Sequence, residues 1–330
     1  MTDTVIALDV GGTGIKAAIV GVDGTVLWAE RHPTGADRGP AAVRDTIRAV
    51  ATGLADRARA AGWRTLAAGV VVPGVVDEAT GVARWSANVG FRDVPLRHLV
   101  ATHLDLPTAL GHDVRAGGLA EARLGAGRGH DHVLFVAIGT GIAAAHVVGG
   151  RAAAGAHGAA GELGHLVVRP GGPPCGCGGQ GCLEAVASAA AVARRYAETQ
   201  RAAEARGATR SRQAATSRRP AEPPSGTPST AADVARLAEA GDPDAARVWS
   251  DTVEALADGL LAGQTLFDVS VIVVGGGLAE AGDQLLGPLR GALHRRLTFH
   301  REPRLVGATL GDEAGCLGAA LLALDSLESS

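Results

Sequence analysis

The stretch Gly12-Thr13-Gly14-Ile15-Lys16-Ala17-Ala18-Ile19-Val20 returns as Gly139-Thr140-Gly141-Ile142-Ala143-Ala144-Ala145-His146-Val147, identical at all but two positions. Apolar, β-branched runs flank both copies: residues 5–10 and 15–20 around the first, 132–138 and 142–148 around the second. Strand, glycine turn and strand, occurring twice, read as a duplicated α/β domain; a chance match between Gly/Ala-rich segments is the plain alternative. A third run at 25–30, after Asp23-Gly24, extends the first copy into an antiparallel meander. Two such turns facing each other across a cleft would present two sets of backbone N–H groups to one phosphate chain. A third cluster, Gly275-Gly276-Gly277, follows a strand at 269–274 and precedes a helix. That is where open α/β sheets bind ligands, beyond the carboxyl ends of their strands.

Between these landmarks the pattern predicts a helix at 40–61 and a buried strand at 66–72 that ends in Pro73-Gly74. A helical pattern runs from 231 through 266, and a final alanine-rich helix at 313–324 is expected to pack back on the N-terminal domain. The expected division is an N-terminal domain over 1–112 and a C-terminal domain over 113–312. Between 197 and 231 the composition shifts to Arg, Ala, Ser, Thr and Pro, as in RSRQAATSRRPAEPPSGTPST. Such a stretch buries too little apolar surface to order itself, so a disordered, solvated insertion is expected over about 199–230. Contact of its arginines with nucleic acid is the weaker alternative.

The 330 residues suffice for two domains with separate cores, and 46% hydrophobic against 20% charged residues excludes a disordered chain. A net charge of -3 gives no pull toward nucleic acid or an anionic membrane. No apolar run approaches the roughly 18 residues of a membrane span, and the N-terminus lacks a basic leader, so a cytoplasmic location is expected. Aromatics are only 3%, which leaves the core to Val, Leu, Ile and Ala. The 48 glycines, about twice the usual share, cluster beside apolar runs. Lys16, the single lysine, lies next to one of those clusters.

Three of the four cysteines fall in Cys175-Gly-Cys177-Gly-Gly-Gln-Gly-Cys182. A disulfide between residues two apart is strained, and the expected compartment is reducing. With His165 ten residues upstream, the set becomes Cys3His, typical of a closed structural zinc site. Free thiols are the alternative. A zinc hydrolase is excluded, because Glu162-Leu-Gly-His165 lacks the second histidine and the full ligand set leaves no position for water. The metal therefore holds loops in place, and with them Glu162 and Glu184. Two carboxylates so fixed suit the hydroxyls of a sugar, although each alone could be a solvated or helix-capping group. Cys316, in the alanine-rich last helix, reads as a small core residue.

These pieces together resemble the ROK family of sugar kinases, most closely its bacterial glucokinase-like members. The matching motifs are Asp9-Val-Gly-Gly-Thr-Gly-Ile-Lys16, Val72-Pro-Gly-Val-Val-Asp77, His112-Asp113, Gly139-Thr-Gly-Ile142, Gly161-Glu-Leu-Gly-His165, Cys175 through Glu184, and Gly275-Gly-Gly277. They follow the family's order and span nearly the whole chain. The resemblance implies an actin-like (ribonuclease H-like), duplicated two-domain ATPase fold with nucleotide and sugar in a central cleft. It implies that Asp113 is the catalytic base, with sugar contacts from Gly74, Asn88, His112, Asp113, Glu162, His165 and Glu184. Zinc would sit on His165, Cys175, Cys177 and Cys182, with the second ring nitrogen of His165 on a sugar hydroxyl. Asp9 would help position Mg2+ and the phosphates of ATP. Gly11, Gly12, Thr13, Gly139, Thr140 and Gly141 would cradle those phosphates, and Gly275, Gly276 and Gly277 would admit the adenosine. Lys16 would be a phosphate-side cation or a cover for its hairpin.

Two positions depart from the family pattern. The residue before the catalytic aspartate is usually asparagine and is here His112. The second phosphate turn usually continues in glycine and here runs Ala143-Ala144-Ala145, whose methyl groups would limit approach to the nucleotide. The activity expected is ATP-dependent phosphorylation of a hexose, glucose to glucose 6-phosphate, with Asp113 as general base. The alternatives are an N-acetylmannosamine acceptor, a polyphosphate donor, or a non-catalytic sugar-sensing regulator. Regulators of the family carry a helix-turn-helix arm before the first phosphate loop, which this chain reaches by residue 9. Partners expected are a sugar and a nucleotide, with no nucleic acid and no membrane. The resemblance also implies a homo-oligomer, dimer or tetramer.

Overall fold

The computed structural model describes residues 1–213 and 230–328, with residues 206–213 as backbone only. The chain opens with β1 (Asp3–Val10), β2 (Gly14–Gly21) and β3 (Val26–Pro33), the antiparallel meander set by the glycine turns. After α1 (Pro40–Ala60), β4 (Arg64–Val72) joins β1 in parallel. A small antiparallel sheet follows, made of β5 (Val75–Asp77), β6 (Val82–Ser86) and β7 (Phe91–Val94). Then come α2 (Leu96–Leu104), β8 (Thr108–His112), parallel to β4, and α3 (Asp113–Arg123). The first large sheet has the order β3-β2-β1-β4-β8.

The second half repeats this order with other strands. It starts with β9 (His132–Ile138), β10 (Ile142–Val148) and β11 (Arg151–Ala152). Four helices follow, α4 (Leu183–Ala187), α5 (Ala189–Gln213), α6 (Ala231–Glu239) and α7 (Pro243–Phe267). The half ends in β12 (Val271–Gly275), α8 (Asp283–His294), β13 (Arg304–Gly307) and α9 (Ala314–Glu328). Its sheet order is β11-β10-β9-β12-β13, strand for strand the topology of the first. The duplication suggested by two glycine turns is thus real, and the fold is the expected actin-like one.

Two expectations need correction. Residues 199–213, assigned to a disordered insertion, continue α5 as helix; residues 214–229 lie outside the described residues. The helical run from 231 to 266 is broken at Gly241. There Asp242 caps α7 by accepting from the amides of Asp244 (3.0 Å) and Ala245 (2.7 Å), and Pro243 fills the first helical position.

The last helix of each half crosses to the other half's sheet. Leu317, Ala319, Ala320 and Ala323 of α9 pack with Val5, Ala7, Ala67 and Val71 of the first sheet. Leu119 and Ala122 of α3 pack with Val133, Phe135 and Val271 of the second. Small side chains let these layers close around a single aromatic, Phe135, against which Gly117 and Gly118 of α3 pack. At Gly69 of β4, an added Cβ would stand 1.9 Å from the Ala319 carbonyl oxygen, so nothing larger than glycine seats α9 here. Gly69→Ala is expected to lower stability by about 3 kcal/mol in chemical denaturation. Gly53→Ala, in α1 with nothing within 4 Å, is expected to raise it by about 0.5–1 kcal/mol. Equal effects at the two sites would contradict this seating of α9.

Candidate active site

The join between β8 and α3 places the first reactive pair. His112 ends the strand in extended conformation and caps the helix, its Nδ1 accepting from the Arg115 amide at 3.4 Å. Asp113 is the first helical residue, and its Oδ1 accepts from the Val114 amide at 2.7 Å. The helix dipole favours a carboxylate there. Burial raises the Asp113 carboxyl above the usual range, while the Val114 amide, Arg115 and Lys16 hold it back. Burial and the Arg115 charge push His112 down to about 4, so its ring is neutral at pH 7. With Nδ1 accepting, the proton resides on Nε2, which has no partner among the described residues.

Asp9 comes to the same place from the end of β1. Burial pushes its carboxyl up to about 6; Lys16 opposes the rise and the Asp113 charge adds to it. Lys16 Nζ lies 3.6 Å from Asp9 and 2.5 Å from Asp312, which Arg31 also contacts at 2.6 Å. The sole lysine is therefore engaged by two carboxylates. Asp312 was not among the expected site residues. With Gly275, Gly276, Gly277 and Gly311 it lines a cavity of about 220 Å³ at the end of β12. Glu121, fully buried, fixes the segment just before it by accepting from the amides of Thr309 (2.9 Å) and Leu310 (2.7 Å). Cys316 is a core residue whose buried thiol is pushed up to about 12.

Both glycine turns are closed by a backbone hydrogen bond of 2.9 Å, but the second is one residue tighter: the Gly11 amide donates to Gly14 O and the Gly139 amide to Gly141 O. Thr34 holds the first through its hydroxyl on the Gly11 carbonyl, 2.6 Å, and Thr13 accepts from the Thr34 amide. Asn88 lies against Gly12, and Gly74, at φ +102, tucks under the Trp85 carbonyl at the end of β4. Beside the second turn, Thr140 is exposed. Ala144 and Ala145 do not obstruct it, since both are buried in the packing on the two faces of β10. Glu184 Oε2 accepts from the Ile142 amide at 3.0 Å, so one of its two carboxylate oxygens ties α4 to the second turn.

The Gly161–His165 motif lies along β10, where the Ala144 amide donates to the Gly161 carbonyl at 2.7 Å. A Cβ at Gly161 (φ +98) would stand 2.0 Å from Ala144 O, which is why glycine precedes Glu162. The donor atoms of His165, Cys175, Cys177 and Cys182 all lie within 4.8 Å of one another. Cys177 and Cys182 sulfurs are 3.7 Å apart, and Cys175 Sγ is 3.7 Å from His165 Nδ1. Tetrahedral zinc with Zn–S bonds of about 2.3 Å separates two thiolates by about 3.8 Å, so the donor set fits. The other ring nitrogen, His165 Nε2, faces Glu162 at 3.8 Å. Burial raises the Glu162 carboxyl, His165 lowers it, and the charges of Glu184 and Asp113 raise it further. Asp9, Asp113, Glu162, His165 and Glu184 thus share one electrostatic neighbourhood between the two glycine turns.

A family model described as the ROK family matches residues 5–326. The glucokinase of Thermotoga maritima is 33% identical over 96% of this chain and 95% of its own length. The N-acetylmannosamine kinase of Escherichia coli O7:K1 is 29% identical over 97% and 98%. Among solved structures, the ROK hexokinase from Thermus thermophilus is similar with a TM-score of 0.79 at 36% identity, covering 99% of this chain and 100% of that one. The ROK glucokinase of Streptomyces griseus in complex with glucose and AMPPNP gives a TM-score of 0.78 at 30% identity, covering 98% and 99%.

Proposed function

The chain belongs to the ROK family and is an ATP-dependent sugar kinase, and from that premise we propose that it phosphorylates glucose at the 6-hydroxyl with Asp113 as general base. The observation that supports this reading best is the convergence of Asp113, Asp9 and Glu162, three carboxylates whose protonation is set by burial and by one another. Phosphoryl transfer is mostly positioning and charge stabilisation, so the chain's task is to hold an alcohol oxygen in line and take its proton. Asp113 takes that proton. The amides of the turns around Gly11–Thr13 and Gly139–Gly141 hold phosphate oxygens, and Asp9 faces the same space. Magnesium, when bound, supplies positive charge to the transferring phosphates. Glu162, Asn88 and the Nε2–H of His112 orient the other sugar hydroxyls. His165, Cys175, Cys177 and Cys182 hold a structural zinc, which fixes the loop that carries Glu162.

A coupled ADP-release assay over glucose, mannose, N-acetylmannosamine, allose and fructose tests this reading. Glucose is expected to give the highest kcat/KM; no turnover with any sugar in zinc-replete protein would overturn it. His112 favours keeping the N-acetylated sugar in the panel, because a neutral imidazole offers one donor where a carboxamide offers donor and acceptor. A base must be ionised to act, and burial holds the Asp113 carboxyl above its ordinary range. The kcat/KM for the sugar is therefore expected to fall as pH drops, with its limb above the usual carboxylate pKa of about 4. A flat profile down to that range would remove the assignment.

A further inference from the structure

We propose that Arg115 is a positioning residue for the acceptor sugar, its buried guanidinium locking the head of α3, and so Asp113, to the segment that carries Glu162. Arg115 is 3% exposed. Its Nε and Nη2 lie 2.9 and 2.8 Å from Glu78 Oε1, and its Nη1 donates to the Gly158 carbonyl at 3.0 Å. Its backbone amide closes the cap made by His112. Three separate parts of the chain therefore meet on this one side chain: α3 two residues past Asp113, the end of β5 in the small sheet, and the loop between β11 and Glu162. That loop is seated directly on β5, for a Cβ at Gly158 would stand 2.3 Å from the Val76 carbonyl oxygen.

A buried arginine is costly to desolvate and adds little to stability over an apolar side chain of similar volume; its planar fork, however, fixes partners in direction as well as distance. Here the partners belong to both halves of the molecule. Glu162 comes four residues after Gly158, so the fork sets how far the Glu162 carboxylate stands from Asp113. The guanidinium charge also acts on Asp113, alongside Lys16 and Asp9 from the first sheet, His112 from β8 and Glu162 across the cleft, while Glu78 partly neutralises it. Geometry and charge at the base are thus coupled through one residue.

The inference rests on Asp113 being the base, and the test separates the two. Steady-state kinetics of the full chain with ATP and glucose are measured against pH for the wild type, Arg115→Met, Arg115→Lys, Glu78→Gln and Asp113→Asn. Arg115→Met is expected to lower kcat/KM for glucose about 10²-fold, mainly through KM, as a displacement of about 1 Å would. KM for ATP is expected to stay unchanged. Its acid limb moves to higher pH, because a positive charge near Asp113 is gone. Glu78→Gln keeps an acceptor for the fork but leaves the guanidinium charge uncompensated, so its limb moves to lower pH. Arg115→Lys keeps the limb near the wild-type position and still loses glucose affinity. Wild-type KM and limb in Arg115→Met, or limbs shifting the same way in the Met and Gln variants, would overturn the proposal. Should Arg115→Met not fold, the direction of the Glu78→Gln limb decides alone. Turnover retained in Asp113→Asn would overturn the base assignment instead.

Discussion

Asp113→Asn is expected to lower kcat about 10³-fold, within the range by which a positioned base accelerates proton transfer, while glucose binding stays measurable by calorimetry. The carboxamide can still accept from the Val114 amide as Asp113 does at 2.7 Å, and the helix keeps its cap because that role belongs to His112. What is lost is the ability to receive a proton. The substitution should not unfold the protein. Burial raises the Asp113 carboxyl in the folded state, so at neutral pH the ionised form costs stability, and a neutral amide removes that cost. An unchanged or higher thermal midpoint is expected together with the collapse in turnover. Turnover close to wild type would remove Asp113 from the chemistry.

Breaking the proposed zinc site is expected to have the second largest effect. Cys177 is the exposed cysteine of the donor set, so Cys177→Ser disturbs the least packing while breaking that set. Without the metal, the loop between Glu162 and Glu184 keeps backbone hydrogen bonds such as Val168 to Gly181 and Leu183 to Leu166 and the Arg169–Asp258 pair, but loses the one link that would join His165 to the three cysteines. Glu162 then loses its fixed relation to His165, and Glu184 its relation to the second glycine turn. Each hydrogen bond to a charged group is worth about 1.5–3 kcal/mol, so losing two well-placed contacts lowers kcat/KM for glucose about 10³-fold. KM for ATP should change less than KM for glucose, since Gly275–Gly277 and the first glycine turn do not touch the loop and only the second turn is tied to it through Glu184. Metal analysis should give one zinc per chain in the wild type and none in Cys177→Ser. Full glucose turnover in zinc-free protein would contradict the account.

Most of the fold was legible because it rests on local chemistry. The β-branched runs at 132–138 and 142–148 coincide with β9 and β10, and the paired glycine turns foretold two sheets of one topology. The break before α7 was missed although Gly241-Asp242-Pro243 carries a cap and a helix-starting proline, because apolar periodicity continues across it. At the candidate site, the motifs singled out Asp9, Asp113, Glu162, His165 and the cysteines, which the fold brings into one neighbourhood. They did not reveal how those groups are tied down. Lys16 and Asp312 pair across most of the chain, and Glu184 turns to the Ile142 amide, contacts that only the tertiary fold decides. Arg115 reads in sequence as one more charged position on a helix; no local signal marks it as sealed between Glu78 and Gly158.

The most direct test is the crystal structure of the protein with glucose and a non-hydrolysable ATP analogue. The account predicts that the Asp113 carboxylate stands at hydrogen-bond distance, about 2.6–3.2 Å, from the glucose 6-hydroxyl, with that oxygen facing the terminal phosphate between the glycine turns. Glucose seated elsewhere, or a 6-hydroxyl turned away from Asp113, would contradict it.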